Sequence, residues 1–202
     1  VGVRLSGSSY LDLTNEVFAN EVVFTNIAPA VSNLVFNGGV HSGPVFLSST
    51  GMARIRTNLT GGTLSGTIQD SDGPGSVSIE GSYPSSPTFS TVNRLTLSGN
   101  STHTGGTTVT NQGVLNLTGS LGATAVTVTG TGTIGGSGSI GTGGSLTFQE
   151  DGRLWLKAEE AGLNVNGNVD LGTRTRVVVG FDSLPPRGPF PVLTFTGTLP
   201  GG

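Results

Sequence analysis

The sequence predicts an all-β chain wound as a single-stranded parallel β-helix, a β-solenoid, and three observations carry that expectation. Short apolar packets with strand-like alternation recur from end to end, turn formers separate them closely, and nothing helical interrupts the pattern for long. Packets this short suit stacked coils better than an ordinary sandwich, whose strands of about 5 to 6 residues recur every ~8 to 12 residues. A β-sandwich stays open as the alternative that pattern alone does not remove.

In chain order the packets cover residues 10–13, 22–24, 34–36, 45–47, 77–79, 95–97 and 114–117. They continue through residues 126–128, 146–148, 154–156, 169–171, 177–179 and 192–195. The best helix candidate, residues 156–161 (LKAEEA), is short, meets Gly162 and lies between strand-like packets, so it reads as a turn. The most regular stretch repeats Gly, then Ser or Thr, then an aliphatic residue: Gly132-Thr133-Ile134, Gly138-Ser139-Ile140 and Gly144-Ser145-Leu146. That pattern suits successive coils with the aliphatic side chain inward and glycine at a tight corner. Two proline-bearing stretches, Ser82-Tyr83-Pro84-Ser85-Ser86-Pro87 and Pro185-Pro186-Arg187-Gly188-Pro189, read as loops, since proline cannot donate to a ladder. Residues 1–202 are expected to form one solenoid body, with an irregular N-terminal half (1–90) and a more repetitive C-terminal half (91–202).

Composition narrows the function. Glycine supplies 35 of 202 residues against a usual ~7%, and charged residues are only 10% against ~25% in ordinary soluble proteins. Ser, Thr and Asn replace the charges, which favours strands and turns over helix interiors. A net charge of −3 with scattered Lys and Arg gives no electrostatic reason to bind nucleic acid. No apolar run approaches the ~18 to 20 residues of a membrane helix. Cysteine is absent, which suits a chain that crosses an oxidising compartment unfolded, where a premature disulfide would jam it. The start at Val1 and the stop at Gly202 after an apolar strand pattern read as those of a processed or excised piece.

The segment Leu95-Thr96-Leu97-Ser98-Gly99-Asn100-Ser101-Thr102-His103-Thr104-Gly105-Gly106-Thr107-Thr108-Val109, followed by Gly113-Val114-Leu115, resembles the autotransporter-associated β-strand repeat, also called the passenger-associated transport repeat. His103 stands where that family usually has Tyr. Residues 163–172 and 190–197 also resemble passenger regions, so the resemblance covers roughly residues 93 to 202. It implies a right-handed parallel β-helix exported to the surface of a Gram-negative-type cell by type V secretion.

Candidate chemistry is sparse. Asp70-Ser71-Asp72-Gly73 has the acid-x-acid-Gly form of a calcium loop, with only Glu80 approximating the distal acid, and it reads as a plain Asp-rich turn. The β-roll calcium pattern fails at Gly135-Gly136-Ser137-Gly138-Ser139-Ile140, where Ile140 stands in the aspartate position. The two histidines, His41 and His103, lie in Gly and Ser contexts that suit a surface and lack a nucleophile-elbow motif. Glu150-Asp151, Arg153, Lys157, Glu159 and Glu160 form the densest charged cluster, expected as solvated loop charges. The triplets beginning at Asn58, Asn100 and Asn116 match the glycosylation pattern and receive no role. Trp155 lies in Leu154-Trp155-Leu156, so inward leucines would turn it outward as a contact surface.

The expected function is therefore a secreted cell-surface structural or adhesion protein, a passenger or stalk segment. A self-assembling subunit of an extracellular filament or sheath and a glycan-binding or glycan-active β-helix are the alternatives. No catalytic residue, metal ligand or cofactor is expected. The expected partners are a like copy stacked end to end, and glycans or the surface of a host or neighbouring cell.

Overall fold

A computed structural model of the chain describes residues 2–25, 31–82, 92–157, 161–180 and 193–200. Every regular element among them is a β-strand, and three strands make one rung of a solenoid. The first rung holds β1 (Val3–Leu5), β2 (Tyr10–Thr14) and β3 (Val17–Phe18), and the second β4 (Val22–Phe24), β5 (Asn33–Asn37) and β6 (Val40–His41). Next come β7 (Val45–Leu47), β8 (Met52–Thr57) and β9 (Gly62–Leu64), then β10 (Ile68–Asp70), β11 (Ser76–Gly81) and β12 (Arg94–Leu97). The fifth rung is β13 (Asn100–Ser101), β14 (Thr107–Thr110) and β15 (Val114–Leu117); the sixth is β16 (Ser120–Leu121), β17 (Ala125–Val128) and β18 (Thr133–Gly135). β19 (Ser139–Ile140), β20 (Ser145–Phe148) and β21 (Arg153–Lys157) follow, then β22 (Leu163–Val165), β23 (Asn168–Asp170) and β24 (Arg176–Gly180), with β25 (Leu193–Phe195) lying on β22. All these ladders are parallel and stack in about seven turns: the fold is a β-solenoid, and the sandwich alternative is removed.

The second face is one eight-stranded sheet from β2 to β23, and the third is another from β3 to β24. The first face is split between a four-stranded sheet ending at β10 and a five-stranded sheet beginning at β13. The seam falls at the longest rung, where Ile68 and Ser101 are 33 residues apart; a usual spacing, as between Ser120 and Asn100, is 20. There the Ser101 hydroxyl takes the Ile68 amide proton at 3.2 Å in place of a carbonyl. Residues 83–87 of the first proline-bearing stretch and the whole of the second lie outside the described residues.

In-register stacking places like on like. Leu34, Ile55, Ile79, Val109, Val128 and Phe148 form one inward column on the second face, each pair in register and none more than 1% exposed. Such side chains contribute about 1.5 to 3 kcal/mol each when fully buried. Outward from the same sheet, Thr108, Thr127 and Thr147 stack as a hydroxyl column. The Gly-Ser/Thr-aliphatic repeat has a simple spatial meaning: Ile134, Ile140 and Leu146 sit on β18, β19 and β20, one on each face of a single turn, all fully buried.

The corners explain the glycines. After the third face, Gly43, Gly66, Gly99, Gly119 and Gly138 stack, and a Cβ on any of the last four would collide with the carbonyl oxygen of the glycine one rung before it. Between the second and third faces, Asn111-Gln112, Gly130-Thr131 and Glu150-Asp151 all take positive φ. Each pair is closed by a hydrogen bond from the following glycine, Gly113 to Thr110, Gly132 to Thr129 and Gly152 to Gln149, at 2.8 to 3.0 Å, giving three superimposed primed turns.

Replacing Gly119 by Ala drives a methyl group into the Gly99 and Ser98 carbonyls, which are backbone and cannot rotate away. Overpacking of this kind costs about 1 to 3 kcal/mol, read as a lower urea midpoint. Gly106→Ala, whose Cβ would meet nothing nearer than the Ala125 carbonyl at 3.9 Å, is the control and leaves the midpoint nearly unchanged.

Candidate functional site

The outer surface of the third face carries most of the unusual chemistry. Strand alternation turns Leu154 and Leu156 inward and Trp155 outward. Trp155 is nevertheless only 8% exposed. Its neighbour in register on the previous rung is Gly135, which leaves the adjoining outward slot empty; a Cβ at Gly135 would stand 3.1 Å from that of Trp155. From the other direction comes Arg94 on β12, whose Cζ lies 5.6 Å from the centre of the indole ring. The indole and the guanidinium thus meet along the outer face across the rungs of Asn116 and Gly135.

Arg94 also walls a shallow cavity of about 150 Å³ on its far side, with Thr96 from its own strand, Thr63 and Gly62 from β9, and Thr60 and Gly38 from the corners. Gly62 takes an inward position in register with Leu95, where Phe36 already fills the interior and a Cβ would strike the phenyl ring. Thr63 and Thr96 stack in register on the outward side. Thr60 donates to Asn37 Oδ1 at 3.0 Å, which fixes one rim. The site is thus a cation, three hydroxyls and glycine backbone, beside a buried indole.

Of the other described arginines, Arg54, Arg174 and Arg176 meet acids, whereas Arg4, Arg56 and Arg153 have no ion pair among the described residues. Arg54 Nε lies 2.9 Å from Glu80 Oε1, to which Ser78 also donates at 3.1 Å. Arg174 and Arg176 face Asp151 at 3.2 and 3.7 Å. Among the described residues no carboxylate is recorded within ion-pair distance of Arg94. Of the charged cluster, Glu150 and Asp151 occupy the primed turn and Arg153 and Lys157 belong to β21, while Glu159 and Glu160 lie outside the described residues.

The acidic loop is not assembled as a cation cage. Asp70 accepts from the amides of Gly75 (2.8 Å) and Thr104 (3.0 Å) and from the Thr104 hydroxyl (2.7 Å). Asp72 accepts from the Ser49 amide at 2.7 Å and from the Ser48 hydroxyl at 3.3 Å. Glu80 is drawn to Arg54 on a different face. Burial opposes ionisation of Asp70, but the bonds from Gly75 and Thr104, with the nearby His103, hold its carboxyl below the usual range. The Ser49 amide does the same for Asp72. No group of three or more metal-binding side chains forms among the described residues.

Both histidines depart from the surface placement their Gly and Ser contexts suggest: each is 0% exposed. His41 takes the inward position of β6, and His103 lies in the corner between β13 and β14. His41 stacks on Phe18 with ring centres 5.4 Å apart and pairs through Nδ1 with the Phe18 carbonyl at 2.9 Å. Burial pushes its imidazole down, against the Phe18 and Pro44 carbonyls. His103 fills the seam, with Nε2 2.8 Å from the Thr107 hydroxyl and Nδ1 without a hydrogen-bond partner among the described residues. Thr107 is itself 1% exposed, so this His–Thr pair meets no substrate from solvent. The groove at Arg94 was not visible in the sequence, because its parts come from separate rungs.

Burial pushes His103 down to about 4, against the charge of Asp70. An unfolded chain binds this proton near pH 6.5 and the folded chain refuses it until about 4, so in that window the unfolded state carries more protons. Stability is complete above about pH 6.5 and falls as pH drops toward 4, by up to about 3 kcal/mol from this residue. Urea midpoints at pH 7 and pH 4.5 measure it; His103→Gln, which cannot be protonated, flattens the dependence, and an equally steep slope in that variant would refute the assignment. Compared with known proteins, no family model, no curated protein and no solved structure matches this chain.

Proposed function

We propose that this chain is a secreted, cell-surface structural and adhesive segment, the passenger or stalk part of an autotransporter-like protein of a Gram-negative-type bacterium. The observation that carries this reading is the uninterrupted parallel ladder, eight strands deep on two faces. It is assembled from local contacts of one rung on the next, so it can form as a chain emerges gradually from a pore. Its outer columns are largely hydroxyl and amide, as with Thr108, Thr127 and Thr147, or Asn100 and Ser120, whose side chains bond at 3.1 Å. The Thr-Gly-Gly-Thr-Thr segment that carries the family resemblance supplies the corner before β14, where a Cβ on Gly105 would strike the Gly75 carbonyl.

A non-enzymatic role agrees with where the titratable groups lie. The histidines are sealed in the core, and Asp70, Asp72, Glu80 and Asp151 are each held by neighbouring donors. A rigid body with immobilised charges suits presentation and adhesion better than proton transfer.

Treating intact cells that express the native protein with an external protease, or with an antibody against this chain, distinguishes the locations. Surface labelling and loss of the chain without cell lysis is the expected outcome. A chain protected in intact cells and reached only after lysis would overturn the proposal. Electron microscopy of the released material should show short rods; long uniform fibres would make the self-assembling subunit the better reading.

A further inference from the structure

We infer that the groove beside Arg94 binds the anionic group of an acidic sugar residue, a carboxylate or sulfate, in a surface polysaccharide. The inference rests on the extracellular reading above, which brings the chain among such polymers.

Three features support it. Arg94 is a cation without a carboxylate partner among the described residues; Arg4, Arg56 and Arg153 share that, but Arg94 is the one that faces Trp155 and lines this cavity. A planar guanidinium offers paired N–H donors that fit a carboxylate or sulfate in a fork, and contact with the Trp155 ring 5.6 Å away restricts its swing. The adjoining cavity of about 150 Å³ presents the hydroxyls of Thr60, Thr63 and Thr96 over the backbone of Gly38 and Gly62. Hydroxyls both donate and accept, which matches the ring hydroxyls flanking the acid of a uronate or sulfated sugar. An apolar ligand or a neutral sugar would leave the guanidinium without a counter-charge.

Trp155 is the one tryptophan of the chain, so its fluorescence reports on Arg94 directly. The experiment titrates the 202-residue chain with trigalacturonate, a κ-carrageenan tetrasaccharide, whose only acid is sulfate, and neutral maltotriose, following Trp155 emission at low and high NaCl. At least one acidic oligosaccharide should shift the emission and bind less well as salt rises, with maltotriose inert. Response to the uronate alone assigns a carboxylate, and response to the sulfated sugar alone assigns a sulfate. Arg94→Gln should weaken the acid about tenfold or more, the loss of a charge-assisted bidentate contact. If that variant does not fold, the paired Thr63→Val and Thr96→Val change, which keeps the cation, should weaken it instead. Equal binding of maltotriose, affinity unchanged in these variants, binding without a Trp155 response, or no binding of either acid at about 10 mM would each overturn the inference. A chain found on the cell surface that binds no acid sinks this proposal alone, while acid binding by a chain confined inside the cell sinks the surface reading alone.

Discussion

Register is the constraint on which the rest of this molecule depends. A parallel ladder repeats every ~4.8 Å, so whatever stands at one position of a rung stands almost in contact with its counterpart on the next. Inward positions must then be filled by columns of similar volume, as in the run from Leu34 to Phe148, and corners must be free of side chains. The stacked glycines from Gly43 to Gly138 follow from that geometry: each packs on a carbonyl oxygen one rung away, and no other residue leaves space for it. Each ladder bond contributes only about 1 kcal/mol net, but their repetition supports a core of narrow aliphatic side chains.

The same constraint determines how much the sequence disclosed. Apolar packets such as those at residues 95–97 and 146–148 coincide with strands because two inward residues flank one outward residue and alternation is visible. Strands with a single inward residue are hidden: β9 offers only Leu64, β16 only Leu121, and β13 places Ser101 inward. The repeat at Ile134, Ile140 and Leu146 shows a spacing of six from face to face, but the whole turn, from Ile134 to its partner Leu154, is 20 residues, a relation that only pairing partners reveal.

Side-chain depth was less legible than strand direction. Alternation places Trp155 on the outside, yet its exposure is decided by Gly135 one rung away and by Arg94 three rungs away, residues remote in the chain. His41 and His103 show the converse. Their neighbours Gly, Ser and Thr suggest a surface, but each occupies an inward position of a short strand or seam, where a neutral imidazole substitutes for an aliphatic side chain. Burial depth in a solenoid is a property of three or four stacked rungs, and local sequence carries only one of them.

This architecture also governs where chemistry can occur. A titratable side chain directed inward is desolvated and held neutral, as His103 is beside Thr107. One at a corner is captured by nearby amides, as Asp70 is by Gly75 and Thr104. One directed outward can pair with a neighbour at that fixed spacing, as Arg54 does with Glu80 on the adjacent strand. In each arrangement the surrounding scaffold sets the group's charge or its partner. Arg94 is held in a different way, by an aromatic ring that leaves its charge uncompensated, and it stands at a cavity lined by hydroxyls. The scaffold thus holds a guanidinium without an acid partner at a groove lined by hydroxyls, the arrangement on which the proposed anion binding rests.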